Sequence, residues 1–266
     1  MADAETQAYE LPHQSWWPLA FGLGVVLLGL GLIVPGPTVW DPGLGELRIG
    51  PMLIVGFLAF AVSGLGWLRE DVEWFDDRVG TGPRVGRWGV LLFIGSEIMI
   101  FGSLFATYYN FADTAAMWPP EGTPHLPIGT TGMFTIVLLF SGATMHWAHS
   151  ALRIGNRSAF KGHMLLTLLL GGIFMVGQGM EYYHLVHEGL TLTTHPFGTT
   201  FYLLTGTHGL HVLAGLFVLG VVTWRAFVHD QFDAERHVLL EAAAIYWHFV
   251  DLVWVFVYAI VYLQWI

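Results

Sequence analysis

Seven mostly apolar stretches set the terms for any fold this chain can adopt. They cover about residues 16–34, 50–68, 88–109, 133–152, 164–183, 197–224 and 239–266. A bilayer's hydrocarbon core is roughly 30 Å thick and needs about 20 apolar residues per crossing helix, and each stretch meets that length. Breakers separate them: Pro35-Gly36-Pro37 ends the first, Pro119-Pro120 divides the third from the fourth, and Pro196 precedes the sixth. Composition agrees, because only 11% of the residues are charged, against about 25% in a soluble domain. The sequence therefore predicts an all-α integral membrane protein of seven transmembrane helices, forming one membrane domain over residues 1–266. Helices 1 and 2 fall within about 16–68, and helices 3 to 7 within about 88–266.

Other counts exclude whole classes of chemistry. Cysteine is absent, which removes disulfides, thiolate metal sites and cysteine nucleophiles. A net charge of −10 argues against nucleic acid as a partner. The first fifteen residues hold Asp3, Glu5 and Glu10 but no Lys or Arg, unlike a secretory leader or an organellar transit peptide. Neither a Gly-x-Ser-x-Gly elbow nor a phosphate-binding glycine loop occurs.

The ten cations are distributed unevenly. Arg69, Arg78, Arg84 and Arg87 lie between the second and third stretches, Arg153, Arg157 and Lys161 between the fourth and fifth, and Arg225 and Arg236 between the sixth and seventh. Only Arg48 falls on the other side. Positive loops stay inside, so the N-terminus is expected inside and the C-terminus outside, as an odd number of spans requires. This distribution, with acidic loops, suits the plasma membrane of a bacterium or archaeon.

An ionisable residue within a span is costly unless it is paired or lines a cavity, so each is a functional candidate. These are Glu97, His146, His149, Glu181, His184, His208, His211, Glu241, His248 and Asp251. Several stand three apart, on one helix face. One reading is a metal, because Glu181-Tyr-Tyr-His184 is the Glu-x-x-His unit of di-iron bundles. That site needs a second such unit, which the chain lacks. The predicted depths also separate these groups by roughly 10–25 Å along the membrane normal at about 1.5 Å per residue. A second reading makes Glu97 a proton-relay carboxylate of a transporter or channel, although the repeated halves common in carriers are missing. A third has buried histidines and carboxylates linking helices by hydrogen bonds.

The segment Glu241-Ala-Ala-Ala-Ile-Tyr-Trp-His-Phe-Val-Asp-Leu-Val-Trp254 closely resembles the last-helix signature of subunit III of the cytochrome c oxidase family. Four further stretches resemble that family in the same order: Gly89 to Phe101 with Gly95-Ser96-Glu97, Ser141 to His149, Gln178 to Tyr182, and Gly206 to Val212. Trp118-Pro-Pro-Glu-Gly122 is similar to its Pro-Pro-x-Gly loop. The chain departs from the family at Ser150, where a second His is common.

The resemblance implies a pair of helices (1–2) splayed from a five-helix bundle (3–7), with phospholipids in the cleft between them. It implies a non-redox accessory subunit of a proton-pumping oxidase that reduces oxygen to water. This chain would hold no cofactor or metal, and haem and copper would lie in partner subunits I and II. Subunit I would be its main contact. Glu97 becomes the buried helix-3 carboxylate, and Glu181, His184, His208, His211, Glu241, His248 and Asp251 become intramembrane polar links without metal. Trp67, Arg84, Arg87 and Arg225 are the candidates for lipid headgroups, since Arg holds phosphate bidentately. The alternatives are the same subunit in a quinol oxidase or nitric-oxide reductase, a stand-alone transporter or proton channel, and a membrane metalloenzyme.

Overall fold

A computed structural model describes residues 15–33, 38–40, 47–48, 51–77, 83–230, 232–233 and 237–265. The order is α1 (Trp17–Ile33), β1 (Thr38–Trp40), β2 (Leu47–Arg48), α2 (Pro51–Asp77), α3 (Pro83–Thr114), α4 (Ile128–Arg153), α5 (Arg157–His187), α6 (Pro196–Val228) and α7 (Val238–Val257). A π-helical turn, Tyr258–Tyr262, and a 3-10 turn, Leu263–Trp265, extend α7. The two strands form one short antiparallel pair in the loop between α1 and α2, with Thr38 opposite Arg48, a detail the apolar pattern did not announce. Among the described residues, five helices are long and apolar enough to cross a membrane: Gly89–Thr114, Ile128–Arg153, Arg157–His187, Pro196–Val228 and Val238–Tyr262. The protein is therefore a multi-pass membrane protein. Helix α1 is apolar but, with 17 residues, only about 26 Å long.

The chain divides into two compact units, residues 1–80 and 81–266. In the first, α1 and α2 pack through small residues. A Cβ on Gly24 would meet the Phe60 backbone nitrogen at 2.6 Å, and the Phe21 and Phe60 rings lie 4.6 Å apart. Close backbone approach of this kind is how helices associate where lipid is as apolar as their own side chains.

The second unit holds α3 to α7. Several of its helix ends that lie beyond the apolar stretches are capped. Helix α4 ends in a Schellman turn, with Asn156 N–H donating to the Ala151 carbonyl and Gly155 N–H to Leu152. Gly155 has φ +76° there, a conformation that costs glycine nothing. Helix α5 ends the same way at Gly189, φ +91°. Asn156 then caps α5, its side-chain oxygen accepting from Ala159 N–H at 3.1 Å. On the same side, Lys161 and Arg157 hold Asp230 at 2.8 and 3.6 Å, and the hydrogen-bonded Lys161 ammonium keeps this carboxyl below the usual range.

Helix α7 lies antiparallel against α4 in a register set by three hydrogen bonds. Trp247 Nε1 donates to Ser141 Oγ at 3.0 Å, Trp254 Nε1 to Thr135 Oγ1 at 2.9 Å, and the Tyr258 hydroxyl to the Ile128 carbonyl at 3.0 Å. Both indoles are fully buried. Trp247 fits because α5 and α6 present Gly171 and Gly215. A Cβ at either position would meet the indole at 3.0 or 2.7 Å.

His195 caps α6. Its Nδ1 accepts from Gly198 N–H at 3.1 Å, so in the neutral ring the proton sits on Nε2 and is donated to Thr123 Oγ1, 3.2 Å away. Burial depresses the His195 pKa, and protonation would also convert the cap acceptor into a donor.

Trp254→Phe should lower stability in detergent by about 0.5–2 kcal/mol, the worth of an interhelical hydrogen bond. Gly215→Leu should cost more, by overpacking against Trp247, and denaturant titration ranks the two. Because the folded His195 pKa lies below the unfolded value near 6.5, its contribution is complete above that value and is lost as pH falls through the folded one. His195→Asn, which caps at any pH, should flatten that part of the stability curve, measured against the parent from pH 8 to about 5.

Candidate functional site: the intramembrane polar groups

Glu97 on α3 is 7% exposed, and it lies about 12 Å into its span at roughly 1.5 Å per residue. Its Oε2 lies 2.8 Å from His211 Nε2 on α6. The other ring nitrogen, Nδ1, lies 2.7 Å from the Thr207 carbonyl oxygen. A carbonyl can only accept, so Nδ1 carries a proton. Nε2 and Oε2 must then share a second proton. Either a protonated carboxyl donates to neutral imidazole, or imidazolium donates to carboxylate. The pair is thus a one-proton site, and either form leaves it with no net charge. Phe101, one turn after Glu97, covers the imidazole at 5.0 Å between ring centres, and the Tyr246 hydroxyl of α7 donates to the His211 carbonyl at 3.1 Å. Three helices therefore meet at this pair.

The other predicted residues separate into distinct places. Glu181 is buried on α5 and accepts from Thr131 Oγ1 on α4 at 3.1 Å. One turn on, His184 turns outward and pairs with Glu188 at 3.2 Å, so the two members of the Glu-x-x-His unit face different surroundings. His208 is fully buried, packed 4.8 Å from Trp254 and 5.9 Å from Phe174, and neither ring nitrogen has a hydrogen-bond partner among the described residues. Glu241 occupies the first turn of α7, where the helix dipole favours a carboxylate. Arg225 is 4% exposed in the last turn of α6, the end that favours a cation. The side chains of Trp67, Arg84 and Arg87 lie outside the described residues.

His248 and Asp251 come together on α7 over Gly142 of α4. A Cβ on Gly142 would collide with Asp251 Oδ2 and meet His248 Nδ1 at 3.5 Å. His146 lines the same pocket. Among the described residues, no three His, Asp or Glu side chains are grouped so that they could hold a metal ion.

Sequence reasoning missed the uncharged half of these arrangements: Thr131, Tyr246, Gly142 and the hydroxyls of Ser141 and Thr135. The available signal was a small or hydroxyl residue recurring on α4 opposite a Trp on α7, but reading it requires the register of the two helices. If one proton links Glu97 and His211, replacing either by Ala leaves the other buried and unpaired. Glu97→Ala and His211→Ala should therefore be non-additive in a double-mutant cycle of detergent unfolding, with coupling of about 1–3 kcal/mol.

Comparison with known proteins covers almost the whole length. Residues 9–266 match the family described as cytochrome c oxidase subunit III. The cytochrome c oxidase subunit 3 of Oryctolagus cuniculus is 34% identical over 267 residues, spanning 97% of each chain. That of Rattus norvegicus is likewise 34% identical over 267 residues, with 97% of each chain covered. The Synechocystis protein of the same name is 39% identical over 181 residues, spanning 68% of this chain and 76% of its own. With a family match from residue 9 to the last residue, and relatives 34% identical over 97% of the chain, the chain belongs to the cytochrome c oxidase subunit III family.

Proposed function

We propose that this chain is the non-redox accessory subunit of a proton-pumping cytochrome c oxidase. The observation that carries the reading is the family match over residues 9–266. Oxygen reduction belongs to the haem- and copper-bearing subunits I and II, and this chain packs chiefly on subunit I. It takes part in an oxidoreductase as a subunit, without a catalytic centre or cofactor of its own.

Seven spans with the N-terminus inside complete the topology. Support comes from the five long apolar helices, the shorter apolar segment Ile54–Gly66 and α1, together with the cations of the loops. The whole chain then acts as one membrane domain in a bacterial or archaeal plasma membrane. Trp67, Arg84 and Arg87 are the groups we assign to phospholipid headgroups, whereas Arg225 is too deeply buried in the last turn of α6 to face lipid.

The contribution of this chain's own residues is clearest at Glu97 and His211. Their shared proton lets a carboxyl remain inside the bundle at no net charge, and the Thr207 carbonyl keeps the imidazole oriented. The pair can exchange its proton without moving either helix, which suits a subunit that steadies proton uptake by its neighbour.

The reading is tested by purifying the tagged chain in mild detergent and recording its partners, visible spectrum and metal content. Haem and copper should enter with larger partner subunits, and stoichiometric iron in the isolated chain would sink the proposal. Glu97→Gln should leave assembly largely intact, because its amide still donates to His211 Nε2. Quantitative loss of the subunit would make the carboxylate an assembly contact and end the proton-related role.

A further inference from the structure

Among the buried polar atoms left without a partner in the described residues, Asp251 Oδ1 lies beside a pocket at the edge of the bundle. Between α4 and α7 lies a pocket of about 430 Å³ whose lining includes Gly142, His146, His248, Asp251, Leu252 and Val255. Asp251 stands midway along the span Val238–Tyr262 and is only 6% exposed. None of the described residues donates a hydrogen bond to its buried Oδ1, and Oδ2 is pressed against α4 at Gly142. Above it, the imidazoles of His146 and His248 are both on the exposed face. Around them the surface is apolar, with Leu252 55%, Trp147 45% and Leu139 43% exposed.

An acyl chain offers these groups nothing, because it has no donor. Headgroups lie roughly 15 Å away, half the thickness of the hydrocarbon core. Polar groups at this depth are met by protein or by enclosed water. The carboxyl oxygens and one nitrogen of each neutral imidazole accept hydrogen bonds, and a side chain with several N–H donors complements them.

We infer that this pocket is a docking site for a transmembrane helix of a neighbouring oxidase subunit, which places one Arg, Lys, Asn or Gln side chain against Asp251, His248 and His146. The inference rests on the proposed function, which supplies the neighbouring subunits. It adds which face of α4 and α7 is covered and what chemistry covers it. By contrast, the second groove on this unit, beside Leu169, Ile173 and Val176, presents no ionisable group and is suited to lipid.

The absence of cysteine makes the test direct. Leu252→Cys, on the rim of the pocket, is labelled with a photoreactive maleimide in native membranes. After illumination the intact complex is purified, and Val176→Cys serves as the control. The expected adduct at Leu252 is a membrane-spanning peptide of another oxidase subunit with Arg, Lys, Asn or Gln within one turn of the cross-link, and Val176 should give lipid. In the unlabelled complex, Asp251→Leu should lower retention of the chain under detergent challenge by roughly 3- to 20-fold, the worth of an interhelical hydrogen bond in a membrane. Asp251→Asn, which still accepts, should be retained better.

Leu252 adducts with lipid alone, with a second copy of this chain, or with a helix lacking such a donor would overturn the docking site while leaving the oxidase reading intact. Purification of the chain without haem- and copper-bearing partners would overturn the oxidase reading itself. Because the cross-linked variant keeps Asp251, a folding defect in Asp251→Leu does not decide the matter.

Discussion

Helices inside a bilayer gain little from burying apolar surface against one another, since lipid is equally apolar. What orders this bundle is the set of hydrogen bonds and close contacts that lipid cannot supply. The donors of Trp247, Trp254 and Tyr258 meet Ser141, Thr135 and the Ile128 carbonyl in sequence. Slipping α7 by one turn would lose all three at once. Each indole then imposes conditions on the other helices. Trp247 requires Gly171 and Gly215, while Trp254 packs on Phe174 and His208. The antiparallel α4–α7 pair thus determines where α5 and α6 present their small and aromatic residues.

Once those helices are placed, the rotation of α6 carries His211 to Glu97 of α3, and the Thr207 carbonyl selects the tautomer that makes them a one-proton pair. His208, three residues earlier, faces the aromatic core instead. A neutral imidazole can lie there as a flat, weakly polar ring between Trp254 and Phe174, where an obligatory charge would not be tolerated. Two histidines on one helix face therefore do different work, one carrying a proton and the other filling space.

Much of this was legible in the sequence and some of it was not, for physical reasons. Apolar length reports spans directly, because a bilayer admits few backbone solutions, so the five long helices of residues 81–266 fall where the stretches predict. The end of α4, both ends of α5 and the start of α6 extend further, since Asn156, His195, Gly155 and Gly189 satisfy the terminal backbone groups there. Glu97 and Asp251 stood out as intramembrane carboxyls. Their partners did not, because pairing depends on the relative height and rotation of helices distant in sequence. Glu181 and His184 illustrate the limit: three apart and apparently one unit, they part because one side of α5 meets Thr131 and the other does not.

Helix α7 shows how one rotation serves two surfaces. At about 100° per residue, Trp247 and Trp254, seven apart, return to nearly the same direction, and both are buried. His248 is turned by about 100° from Trp247 and emerges on the exposed side. Asp251 lies only about 40° from Trp247, at the seam, where the absent side chain of Gly142 leaves room for its carboxyl. A larger residue at Gly142 would drive the carboxyl out of the seam, and a different register would carry it into the aromatic core. The hydrogen bonds that seat the two indoles therefore also hold an acidic group at the boundary of the bundle, beneath the surface yet within reach of whatever lies against α4 and α7.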